Sequence, residues 1–60
     1  MKTTLLKSRE GYEIWSVAVD RAEWFVVRFE RRRARLFKSI ADAEALFADL
    51  LGRARVARAH

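Results

Sequence analysis

A single α+β domain is expected from this chain: an antiparallel meander of three to four strands with one C-terminal amphipathic helix packed on one face. Three observations carry the expectation. Residues 12–19 (YEIWSVAV) and 23–30 (EWFVVRFE) are runs of β-branched and aromatic residues bounded by turn formers. After Ser39 the apolar spacing changes, with Ala43, Leu46, Phe47, Leu50, Leu51 and Ala54 following one another in steps of three and one, one stripe of a helix. The whole chain has 60 residues with no proline and no cysteine, which leaves room for one domain and no disulfide.

The elements follow in order. Residues 3–8 (TTLLKS) read as a short first strand, and Arg9-Glu10-Gly11 as a turn in which Gly11 is free to take positive φ. The second strand is 12–19, followed by an Asp20-Arg21-Ala22 connection and the third strand, 23–30. Arg31-Arg32-Arg33 reads as a loop tip and 34–38 (ARLFK) as a fourth strand. Ser39 is a good N-cap, with Asp42 and Glu44 in the first turn where the helix dipole favours acids. The helix is expected over about 40–52, with Gly52 either ending it or only weakening it, and a basic tail over 53–60.

Alternation assigns the faces. Phe25, Val27 and Phe29 share one side of the third strand and belong against Leu46, Phe47, Leu50 and Leu51. The other side carries Trp24, Val26 and Arg28, and the second strand adds Trp15, Val17 and Val19 there. One helix covers only one face, so the second face is a candidate interface. A 60-residue domain buries only about 60% of its unfolded surface, and small domains often gain stability by associating. A homodimer is therefore expected, with Trp15, Trp24 and Val26 as candidate interface residues.

The net charge of +5 is unevenly distributed. Residues 1–27 balance four bases against four acids. Residues 28–38 hold Arg28, Arg31, Arg32, Arg33, Arg35 and Lys38 against Glu30 alone. Residues 39–52 carry three acids and no base, and the tail adds Arg53, Arg55 and Arg58. A basic hairpin of this density is the footprint of a nucleic-acid binder, because guanidinium forks match phosphates and guanine edges. The six cations of 28–38 are the candidate nucleic-acid-binding residues, with DNA as the first expectation. Trp24 beside Arg28 could instead stack on an unpaired base. The same arginines also serve to keep an edge hairpin soluble, and an acidic protein is the alternative partner. The tail's arginines suit both the negative end of a helix and extra phosphate contacts.

No catalytic chemistry is legible. The two glycines, Gly11 and Gly52, stand in no phosphate loop, dinucleotide fingerprint or nucleophile elbow. The one histidine is the terminal His60. Glu13 and Glu23 could face each other across the 12–19/23–30 hairpin, although salt links to Arg21 or Lys7 are favoured. The chain is not expected to be an enzyme, and no cofactor or metal is expected. It has no apolar run of 18 residues and no secretory signal, so a cytoplasmic protein without membrane partners is expected.

The segment Arg35-Leu36-Phe37-Lys38-Ser39-Ile40-Ala41-Asp42-Ala43-Glu44-Ala45 resembles known proteins. A strand ending in Phe-x-Ser before a helix that opens with acids and alanine is similar to the sheet-plus-helix DNA-binding domains of the apetala-two type. It is also similar to the arm-binding domains at the N-terminus of phage integrases and to the hybrid-binding domain of some ribonucleases H. The resemblance to the first two implies a sheet face lying in the major groove, with Arg28, Arg33 and Arg35 as reading residues. A meander followed by a helix also resembles the single-strand-binding coactivator fold, which is dimeric.

Overall fold

The computed structural model describes residues 1–29 and 33–58. Four strands form one antiparallel sheet in the order β1-β2-β3-β4, and a C-terminal helix packs on it. They are β1 (Lys2–Arg9), β2 (Tyr12–Val19), β3 (Ala22–Phe29), β4 (Arg33–Phe37) and α1 (Ile40–Arg58). The expected α+β meander with a single C-terminal helix is thus the observed architecture, with four strands.

Both hairpins among the described residues close on two-residue connections. At Glu10-Gly11 both central residues have positive φ, +54° and +88°, as a type I′ turn requires, and Gly11 takes its value without a Cβ penalty. At Asp20-Arg21 only Asp20 is left-handed, with φ +55°, a region that Asp tolerates better than most side chains. The tight links leave the register no slack. Ile14 pairs with Val27, Trp15 with Val26 and Val17 with Trp24. In β1 the register shifts between Leu5 and Lys7, leaving Leu6 as an extra residue.

The core sits where β2 and β3 meet the helix. Ile14 and Val27, directly opposite each other, are almost wholly buried, together with Ala43, Phe47 and Leu51 of the helix stripe. Tyr12, Phe25, Phe29, Phe37, Leu46 and Leu50 pack around them. Burying five apolar residues, with six more half covered, supplies the main driving force for this layer. Strand β1 is exposed along its whole length. The Lys7 ammonium lies over the Phe47 ring at 5.7 Å, one contact from this strand to the helix.

Two expectations need correction. The helix does not stop at Gly52 but runs on to Arg58, so residues 53–58 are helical and not a separate tail. Gly costs only about 1 kcal/mol relative to Ala inside a helix. The helix-forming Arg and Ala residues beyond it, the Asp49–Arg53 pair at 3.1 Å and the Arg55–Glu10 contact at 3.9 Å carry it through. Glu13 and Glu23 do not face each other: the period-2 alternation puts them on opposite faces of the sheet. Glu13 pairs with Arg28 at 3.7 Å, and Glu23 accepts the Ser16 hydroxyl at 2.7 Å.

Candidate nucleic-acid interface

The β3–β4 hairpin positions the basic residues, and the register decides which way they face. Val27 pairs with Arg35 and Phe29 with Arg33, so both arginines lie on the helix-bearing side of β4. Ala34 pairs with Arg28, which lies on the open side. Arg28 and the Arg33/Arg35 pair therefore occupy opposite faces, and no single sheet face presents all three as reading residues. Arg35 is exposed, with its guanidinium 5.5 Å from the Phe37 ring. Arg31 and Arg32 lie outside the described residues.

Lys38 stands five positions beyond Arg33, about 17 Å along an extended chain. Its ammonium lies 5.4 Å over the Trp24 ring. It belongs to the open face near the start of the helix, away from the hairpin's arginine end.

On that open face Glu13 is a local hub. Its Oε1 accepts the Trp15 indole N–H at 3.2 Å and lies 3.7 Å from the Arg28 guanidinium. Trp15 and Trp24 are half-buried, and Leu5, Val19 and Leu36 are 45%, 40% and 58% exposed. Thr3, Trp15, Val17, Val26 and Arg28 line a shallow hollow there. The three candidate interface residues Trp15, Trp24 and Val26 do share one face, opposite the helix.

The helix brings a second basic segment to the hairpin's end of the molecule. It starts beside the end of β4 and runs back over the sheet until Arg55 reaches Glu10 in the β1–β2 turn. That turn lies at the same end of the sheet as Phe29 and Arg33, because Glu13 pairs with Arg28. Arg9, Arg28, Arg33, Arg53 and Arg55 thus gather at one end. The acids of the helix's first turns, Asp42 and Glu44, lie toward the other. In sequence the hairpin and the 53–60 segment are separate basic patches. The expected 40–52 helix, about 20 Å long, falls short of the hairpin, whereas the observed 19 residues span about 28 Å, the length of an eight-residue strand, and bring the helix back to that end.

The Glu13–Arg28, Asp49–Arg53 and Glu10–Arg55 pairs keep their guanidinium groups exposed and compete with solvent. Among the described residues no group of three or more His, Asp or Glu side chains could hold a metal ion. No described helix is long and apolar enough to cross a membrane. No known protein family, curated protein or solved structure matches the chain.

Proposed function

We propose that this chain is a small cytoplasmic nucleic-acid-binding protein that grips phosphates with its basic end, and that it performs no catalysis. One observation carries the reading. Two basic segments separated by the acidic first half of the helix lie toward the same end, Arg33 at the start of β4 and Arg53 and Arg55 near the end of the helix. Gathered guanidinium groups raise the local positive potential, which draws in a phosphate backbone. Arg31 and Arg32 belong to the same hairpin in sequence. DNA is the first candidate, since a two-stranded ribbon fits the major groove.

The test is fluorescence anisotropy with a labelled duplex, a single strand and an RNA hairpin at two salt concentrations. Four to six phosphate contacts give a log–log salt slope of roughly −4 to −5 on duplex. Replacing Arg31, Arg32 and Arg33 together by Ala flattens it by about three units, and replacing Arg53 and Arg55 flattens it by about two. Lys38→Ala, at the far end, leaves it unchanged. If no probe binds below ~10 μM at low salt, where even non-specific binding is visible, the reading fails.

The apolar open sheet face favours a second reading, a protein-interaction module whose basic hairpin docks on an acidic partner. A defined protein complex that survives nuclease treatment, with no binding to any of the three probes, would decide for it.

A further inference from the structure

We infer that the open sheet face is a homodimer interface, with a second copy of this chain packed face to face against it. The inference does not use the nucleic-acid reading and stands or falls separately.

The chain exposes more surface than its mass predicts. A folded monomer of 7.0 kDa normally exposes about 4,000 Å², whereas this chain exposes 4848 Å². The excess of about 800 Å² is what one partner contributes to a standard interface. Part of it belongs to the helix end. The open face alone, four strands wide and up to eight residues long, projects about 500 Å² before side-chain relief is counted.

Both sheet edges are protected against association. Edge strand β1 is interrupted by the irregularity at Leu6 and carries Lys2, Lys7 and Arg9. Edge strand β4 has five residues, two of them arginine. Bulges, short strands and cations are the features that stop sheets joining edge to edge. The open face lacks such protection: Leu5, Trp15, Val17, Trp24, Val26 and Leu36 form a continuous apolar surface.

The face is also compatible with a copy of itself. Its charges stand at the margins, with the Glu13–Arg28 pair toward one end and the Lys38 ammonium toward the other. A two-fold axis across the strands lays the apolar centres over each other and sets the two arginine-rich ends at opposite poles, away from one another. Aligned sheet-on-sheet packing at about 10 Å interdigitates the tryptophans and valines. A second copy is also the one partner always present when the chain is made, which suits a domain with so small a core.

Sedimentation equilibrium from about 1 to 100 μM tests this, a range in which interfaces of this size associate. The expected mass is twice 7.0 kDa, with the tryptophan emission shifting to the red as the dimer dissociates on dilution. Val26→Glu removes the dimer, leaving a species of 7.0 kDa, folded or unfolded. Val56→Glu, on the exposed helix face, leaves mass and helix content unchanged and so excludes association through the helix. A wild-type mass of 7.0 kDa throughout, a Val26→Glu variant that stays dimeric, or a Val56→Glu variant that becomes monomeric overturns the proposal. So does a monomer whose tryptophan emission is quenched by an oligonucleotide, which would assign the face to stacked bases.

Discussion

At the scale of single residues, the fold depends on a few positions with no substitute. Phe47 is 3% exposed and spans the gap between Ile14, Val27 and the helix. Truncating a buried Phe to Ala costs about 3–5 kcal/mol, a large part of what a domain this size can have. Phe47→Ala is therefore expected to unfold the chain at room temperature, read as loss of far-ultraviolet dichroism. Gly11→Ala acts by another route. A Cβ there meets nothing within 4 Å, so the change carries only the cost of a left-handed residue with a side chain, about 1–2 kcal/mol. Urea titration should show a lower midpoint with an unchanged slope, because the exposed surface is the same.

Face assignment shows what alternation can and cannot carry. In β3 the unbroken period-2 pattern places Phe25, Val27 and Phe29 on the helix side and Trp24, Val26 and Arg28 on the other, as the structure has them. In β4 it could not be carried over from β3, because one residue more or less in the loop turns every following side chain to the other face. Arg33 and Arg35 consequently share the helix side while Arg28 does not, and the candidate reading residues are split.

Among the elements, the helix shows how a local signal is overruled. A glycine near the end of an apolar stripe usually marks a stop. Here Gly52 does not take the positive φ of a helix stop, and the contacts of Leu51, Arg53 and Arg55 continue the helix to Arg58. Stop and pass-through differ by about 1 kcal/mol at the glycine itself, less than the flanking contacts supply, so spacing alone could not choose between them. Gly52→Ala is expected to stabilise the domain by about 1 kcal/mol, since a Cβ there meets nothing within 4 Å. In a domain of this size the gain appears as a rise of about 4–8 °C in Tm by thermal dichroism, and a fall in Tm would show that the glycine is needed where it stands.

The whole molecule has one helix for two sheet faces, and its proportions follow from that. Its radius of gyration is 12.3 Å, against about 10 Å for a compact 60-residue domain, and its longest dimension is 45 Å. A layer supplied by a partner would link stability to concentration. If the second copy supplies that layer, folding and dimerisation are one equilibrium, and each tenfold rise in concentration stabilises the dimer by about 1.4 kcal/mol, or about 0.7 kcal/mol per chain. With the slope for small domains, Tm should climb by about 3–6 °C per decade of concentration. A self-sufficient monomer has a Tm independent of concentration, so melting curves at three dilutions separate the two without any variant. In such a dimer salt should act the same way: the two basic ends would stand at opposite poles, and what repulsion remains between them would be screened as ionic strength rises. Tm should therefore rise slightly with moderate salt, the opposite of the salt dependence expected for phosphate binding, so association and nucleic-acid contact can be followed apart in the same buffers.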